Sequence, residues 1–458
     1  MRLSPDNLSL LDGVVDRFEY DRDAQKIGIV HFGIGAFHRA HQAWYTDLAM
    51  SAGDRDWAIC GVSMRSTAVA EQLGPQSGLY TVTERSGESA MTRVIGSVRE
   101  VLFAPNQFEQ VVARLANPSC SIVSLTVTEK GYARGECGDL DMNLARQSFY
   151  PMLSDALSKR KSSGLGGLTV LSCDNLAENG KVLDRLLRQW LKADQPDLVG
   201  WYESECRVPS TMIDRIVPRT QPSDIDALKD RVGVLDEGAV FTEAFSQWVI
   251  EDNFAGVRPR WEHHGVEMVR NVAPFETAKL RMLNGAHSLL AYCGLRAGYQ
   301  FVHEAVADPA LRDLANRLMR EEAIPTISAA TDQDLEEYAT HLMKRFADPA
   351  LVHRLDQIAM DGTQKIPQRW LDTARNAIDH GRPVDAIRTG FDAWIWHLID
   401  GRWVDDPHGE DLKRIACRGG RAAVIEYCLL SDEDRGPLWP KYEEVSKIFV
   451  NPPVSWDG

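Results

Sequence analysis

Several things are scarce in this chain of 458 residues, and each scarcity narrows what it can be. It has no C-x-x-C pair; eight cysteines are scattered at positions 60, 120, 137, 173, 206, 293, 417 and 428. That spacing suits neither a zinc ribbon nor a dithiol redox site, so reduced thiols, mostly small core residues, are expected. No apolar run approaches the roughly 18 residues that a membrane helix needs. The opening MRLSPDNLSL lacks the basic start and apolar core of a signal peptide, which points to a cytoplasmic location. Positive charge is in deficit: 51 Lys and Arg stand against 66 Asp and Glu, a net charge of −15. A general binder of nucleic acid or of an anionic membrane needs a basic face, so neither is expected as a partner. A local basic pocket for a small anionic ligand remains allowed. There is no internal repeat and no low-complexity tract. What is left is a chain of 44% hydrophobic and 26% charged residues, long enough for two domains and acting as a monomer or small homo-oligomer.

The N-terminal part alternates short apolar runs with helical patterns. KIGIVHFGIG (26–35) reads as a buried strand entering a glycine turn, and AFHRAHQAWYTDLAMSAG (36–53) as one helix ending at a glycine. WAICGVSM (57–64), CSIVSLTVTEKGY (120–132) and GLTVLSCDN (167–175) read as further strands with polar turns. Strands alternating with helices predict an α/β, doubly wound parallel sheet. From Pro274 onward the patterns are longer and helical. The expected division is a dinucleotide-binding domain over 1–270 and a mostly α-helical domain over 271–458. Function is then expected in the cleft between them.

HFGIGAFHRAHQ (31–42) places Gly33 and Gly35 between the first strand and the first helix. A tight reversal beside a ligand needs residues without a Cβ, and helix N–H groups beyond it suit a pyrophosphate. This is a partial dinucleotide fingerprint, with His38 at the third glycine position. The acidic residue that usually closes the second strand is missing: GVSMRS offers Ser63 and Arg65 instead, and Asp54 and Asp56 precede the strand. Arg65 could face a 2′-phosphate, so these residues leave NAD and NADP both open. Candidate cofactor contacts are Gly33, Ile34, Gly35, Phe37, Arg65, Thr126 and Thr128. His31, His38 and His41, like His263 and His264, lack a carboxylate or cysteine to complete a ligand set, and no metal is expected.

KLRMLNGAHS (279–288) is mostly apolar yet carries Lys279, Asn284 and His287. On an α-helix at about 100° per residue, His287 lies about 80° and Asn284 about 140° from Lys279, enough to line one wall. Lysine shielded from water loses much of its preference for the charged form and becomes a usable base. Amides donate to an oxygen as it gains charge. Asn175, just past the strand ending near Cys173, offers a second amide at the carboxyl edge of the sheet. Removal of a hydroxyl proton while hydride leaves the same carbon is the chemistry that uses this set.

Six segments in this order, GIGAFHRAHQ, SLTVTEKGY, SCDNLAENG, PSTMIDRIVP, QWVIEDNF and KLRMLNGAHS, resemble the polyol-specific long-chain dehydrogenases. The resemblance runs from about residue 26 to beyond residue 370. It implies a metal-independent, NAD-using secondary alcohol dehydrogenase with a Rossmann-like domain and a helical domain. It implies Lys279 as general base, Asn175 and Asn284 as the oxyanion hole, and His287 as the substrate-positioning imidazole. Glu129 and Glu276 correspond to acidic residues near the base and on its proton path. Asp214 corresponds to a signature residue near the site, and Lys365 to a contact at the far end of the substrate. Gln357 replaces an arginine of the mannitol 2-dehydrogenases. QWVIEDNF, KLRML and IAMDGTQKIPQR look most similar to the fructuronate reductase branch, for which Lys365 and Arg369 would meet a hexuronate carboxylate. Fructuronate and mannonate are the first substrate pair expected, fructose and mannitol the second. A nucleotide sensor without turnover would lack a base or amide, and a metal-dependent dehydrogenase would lose activity to a chelator.

Overall fold

The computed structural model describes residues 1–450 except 12, 88, 136, 332, 401–404 and 431–436. Its chain divides into two compact units, Met1–Val272 and Ala273–Gly458.

The first unit is built on five strands: β1 (Ile27–Phe32), β2 (Ala58–Ser63), β3 (Val98–Phe103), β4 (Ile122–Leu125) and β5 (Thr169–Ser172). Their order across the sheet is β3-β2-β1-β4-β5 and every pairing is parallel. This is the doubly wound sheet expected from the alternation. Its reversal of order lies between β1 and β4, where such folds open a crevice at the strands' carboxyl ends. Side-chain alternation assigns the two faces. Val30, Val123 and Val170 pack with Leu153, Leu157, Leu186 and Trp190 of the helices Tyr150–Ser162 and Asn179–Asp194. Their neighbours Ile29, Ile122 and Leu171 point the other way, into a core with Tyr45, Met50, Trp248 and Trp261. Burying one such side chain is worth about 1.5–3 kcal/mol, so a one-residue slip of register would forfeit both faces together.

Two departures from simple alternation stand out. The crossover from β2 to β3 carries an antiparallel hairpin, Tyr80–Ser86 with Ser89–Ile95, flanked by Val15–Asp16 and Val240–Glu243. A separate sheet joins Thr211–Asp214, Gln247–Glu251 and Glu267–Val269. The single helix expected over 36–53 is instead two, Ala36–Ala40 and Gln42–Ser51, broken at His41 (φ −121°, ψ −96°). Distant donors explain the break. Tyr80 donates its hydroxyl to the Arg39 carbonyl (2.8 Å) and Arg215 donates to the Ala40 carbonyl (2.5 Å).

The second unit is helical, with no strand among the described residues. Its centre is the helix Gly285–Arg296, buried continuously from Gly285 to Gly294. A helix apolar all round must be surrounded, and Asp385–Asp400, Trp370 and Leu355 are among its neighbours in one large core. Among the described residues of this unit are three π-helical segments, Lys279–Asn284, Leu318–Ala323 and Pro367–Leu371. No helix among the described residues is long and apolar enough to cross a membrane.

Candidate functional site

The glycine turn follows β1 directly. Gly33 has φ +94°, and a Cβ there would stand 2.1 Å from the Thr126 carbonyl oxygen, so no other residue fits. Its N–H donates to the Val62 carbonyl (2.8 Å), and Thr126 donates its hydroxyl back to the Gly33 carbonyl (2.7 Å). Gly35 is different. Its φ is −94° and a Cβ would meet only the Gly33 carbonyl at 3.8 Å. Neither backbone strain nor a close protein contact demands glycine there. His31, beneath the turn, is fully buried, with its ring nitrogens 2.7 Å from Ser124 Oγ and 2.8 Å from Thr126 Oγ1. Burial pushes its pKa down to about 3, so the ring is neutral. His38 stacks on it with ring centroids 3.4 Å apart. The imidazole pair thus fills the helix–strand contact that a third glycine usually makes.

A cavity of about 580 Å³ opens at this turn. Gly33, Ile34, Gly35, Arg65, Thr126 and Thr128 are among its lining residues, together with Ser63, Met64 and Ser66 at the end of β2. Phe37, expected beside the cofactor, is absent from that lining; its ring stacks on His41 with centroids 5.0 Å apart. The cavity has the size of a small-molecule site, lies at the reversal of strand order and is floored by the obligatory glycine. Those features fit the phosphates and ribose of a dinucleotide.

Thr128 holds φ +62°. A β-branched residue there is a genuine outlier, costing on the order of 1–3 kcal/mol. Asp174 holds it in place. The buried carboxylate accepts from the N–H groups of Val127 (3.0 Å) and Thr128 (2.9 Å) and from the Tyr132 hydroxyl (2.9 Å). Burial raises its pKa, and those donors oppose the rise. Asn175 follows immediately and is exposed. Its loop is pinned by Asn179, whose amide donates to the carbonyls of Asp174 (3.1 Å) and Thr211 (2.8 Å). Glu129 is exposed on the short helix Thr128–Gly131. Asp214 is buried at the end of the strand Thr211–Asp214, paired in register with Gln247.

In the second unit the helix Ala273–Ala278 carries Pro274 and Glu276 in its first turn. The α-helix expected through Asn284 is replaced by a π-turn, Lys279–Asn284. A π-turn closes on residue i+5, so Lys279 and Asn284 come close to alignment on one side instead of lying about 140° apart. Lys279 is 9% exposed and His287 7%. Two more π-helical residues lock this turn. Trp370 donates Nε1 to the Gly285 carbonyl (3.0 Å), and Arg369 donates to Ser288 Oγ (2.7 Å) and the Asn284 carbonyl (3.4 Å). A Cβ on Gly285 would lie 3.3 Å from the Arg369 carbonyl oxygen, so the segments are in close contact.

Around His287 the charge is positive. Burial, with His353, Arg345 and Arg369 nearby, holds its pKa well below the ordinary value, so it is a neutral imidazole at neutral pH. Its ring lies 4.7 Å from that of Phe346 and 5.0 Å from that of His353, between centroids. Burial brings Arg369 down to about 10. It also lowers Lys365, with Arg369 adding repulsion. Lys365 is tied back by donation to the Met360 carbonyl (2.6 Å) and lies 3.9 Å from Asp361.

Two family models cover nearly all of this: a mannitol dehydrogenase Rossmann domain over residues 27–263 and a mannitol dehydrogenase C-terminal domain over residues 271–413. The chain belongs to the mannitol dehydrogenase family. It is 42% identical over 397 residues to the D-mannonate oxidoreductase of Escherichia coli K12, covering 83% of this chain and 82% of that one. It is 38% identical over 423 residues to a mannitol 2-dehydrogenase of Aspergillus fumigatus, covering 87% and 84%. Among solved structures, Pseudomonas fluorescens mannitol 2-dehydrogenase in ternary complex with NAD and D-mannitol superposes with a TM-score of 0.83. Its identity is 32%, over 98% of this chain and 95% of that one. A D-sorbitol dehydrogenase in substrate-free form gives 0.89 at 31% identity, over 98% and 96%. This chain is therefore an oxidoreductase of the mannitol dehydrogenase family.

Within this family member, four residues near the candidate groups escape sequence reasoning. Asp174 acts through backbone N–H groups, and Trp370 through a carbonyl, so neither belongs to a side-chain pattern. Arg345 and His353 sit 58 and 66 positions beyond His287, and only the fold brings them together.

Proposed function

We propose that this family member interconverts a secondary alcohol and a ketone on an open-chain sugar acid, with fructuronate and mannonate as the first pair. When bound, a nicotinamide dinucleotide, NAD in the first instance, supplies the two-electron acceptor or donor. The protein's own residues manage the proton and the oxygen. In oxidation Lys279 Nζ takes the hydroxyl proton, and in reduction it returns one. Asn175 and Asn284 donate N–H to the oxygen as charge develops there, an interaction worth about 10²–10³ in rate per donor. His287, kept neutral, hydrogen-bonds the substrate's hydroxyls. Glu276 and Glu129 pass the proton on, and Asp214 supports the site from its strand.

The observation that carries this reading is the π-turn, which aligns a buried lysine with an amide one step from a neutral imidazole. The sugar-acid choice rests on the cations beside that imidazole, Arg345 and Arg369, with Lys365 next to Arg369: a setting suited to a carboxylate in a protein that is acidic overall. The 42% identity to a D-mannonate oxidoreductase points the same way. The second reading, D-mannitol and D-fructose, draws on the mannitol 2-dehydrogenase relatives. The deciding measurement is a matrix of NADH oxidation rates with fructuronate, tagaturonate, fructose and xylulose. Fructuronate should be fastest. A fructose rate far above both uronates would overturn the substrate assignment.

A further inference from the structure

The adenosine end of the cavity has a composition that the NAD-first reading does not use. In doubly wound sheets the ribose 2′-hydroxyl meets the residues just past the second strand, where a carboxylate usually accepts its hydrogen bond. Here β2 ends at Ser63 and continues Met64, Arg65, Ser66, and all four line the cavity. None of the residues lining the cavity is acidic. The two nearby carboxylates in sequence are committed elsewhere: Asp54 pairs with Arg260 (2.6 Å) and Asp56 with Lys26 (3.0 Å).

Arg65 is exposed, lines the cavity and has no ion-pair partner among the described residues. The turn that presents it is fixed locally. Ser63 donates its hydroxyl to the Ser66 carbonyl (2.5 Å), and Ser66 Oγ accepts from the Ala68 N–H (3.1 Å) at the start of the helix Ala68–Leu73. A guanidinium held over a short polar turn, with a serine hydroxyl free to donate and no carboxylate to repel an anion, is chemistry for a phosphate monoester. For a ribose diol the same turn offers less, because a diol wants an acceptor and Arg65 has none to give.

We propose that this end of the cavity takes a 2′-phosphate, so that the chain binds NADP(H) at least as tightly as NAD(H), with Arg65 and Ser66 as the specificity-determining residues. The inference rests on the nucleotide-binding reading above. The test is calorimetric binding of ADP-ribose and 2′-phospho-ADP-ribose to the full chain, which needs no turnover and no nicotinamide. The phosphorylated probe should bind at least as tightly as ADP-ribose and lose affinity more steeply as salt is raised. Arg65→Ala should weaken the phosphorylated probe by about tenfold or more, and ADP-ribose much less. Ser66→Asp keeps the acceptor for the Ala68 N–H while adding a negative charge. It should reverse the preference toward ADP-ribose, which also guards against misreading a damaged fold. If ADP-ribose binds the native chain tenfold tighter than its 2′-phosphate, or if Arg65→Ala weakens both alike, the specificity inference falls and the nucleotide site stands. If neither probe binds, the nucleotide reading falls with it.

Discussion

The two units prepare their chemistry by different means. In the parallel-sheet unit the candidate site is made of backbone: a glycine at φ +94°, a threonine at φ +62°, and N–H groups steered by one buried carboxylate. In the helical unit it is made of side chains, a lysine, an amide and an imidazole whose directions depend on a turn one residue longer than usual. Backbone recognition tolerates many sequences provided the few obligatory conformations survive. Side-chain chemistry tolerates few substitutions but is indifferent to much of the surrounding loop.

The largest test of that contrast is Lys279→Ala. Turnover should fall by about 10²–10⁴, the usual contribution of a general acid–base, while calorimetric nucleotide binding stays near native. Equal loss of both would erase the distinction between the units. Gly33→Ala should do the reverse, abolishing nucleotide binding and destabilising the sheet unit by about 2 kcal/mol or more. The new methyl group would collide with the Thr126 carbonyl at a φ that alanine rarely adopts. Retained binding with an unchanged melting temperature would show that the turn is not the recognition element.

A smaller effect is expected from Trp370→Phe, which removes the donor to the Gly285 carbonyl but keeps most of the aromatic volume. Stability should drop by about 1 kcal/mol, and kcat should fall further than that loss of folded protein explains, because the π-turn loosens. A kcat that merely tracks stability would make the tryptophan a packing residue only. The smallest effect concerns Glu322, buried in the π-segment Leu318–Ala323, whose carboxylate accepts from the N–H groups of Ala386 (2.6 Å) and Ile387 (3.0 Å). Burial raises its pKa to about 7. A carboxyl raised on folding binds its proton more tightly in the native state. Its stabilising contribution is full below the ordinary carboxyl range and is lost as pH rises through about 7. The melting temperature of the native chain should therefore decline more between pH 5 and 8 than that of Glu322→Gln; parallel slopes would sink the assignment.

Much of the sheet unit was legible because its strands are continuous apolar runs, such as IVHF and AICGV, bounded by glycine and polar turns. The break at His41 was not, since the donors that cause it, Tyr80 and Arg215, come from 39 and 174 residues further on. Phe37 was placed beside the cofactor by position in a motif; it stacks on His41 and is not among the residues lining the cavity. In the helical unit Lys279, Asn284 and His287 announce themselves as costly polar groups in an apolar stretch. The π-turn beneath them does not, because six residues are too few for a period of hydrophobicity to separate one helix type from another.

That turn has a consequence for how this chain can vary. A π-turn is an α-turn holding one extra residue, so removing Leu283 would convert it to ordinary helix, with Asn284 then four positions from Lys279, at about 40°, and His287 seven positions away, at about 20°. Both polar groups would stay on the lysine's side, so the turn takes up a change of length that an ordinary helix would pass on. One residue lost within 279–284 would leave the later side chains in phase, whereas one lost from Gly285–Arg296 would turn every later side chain by about 100°.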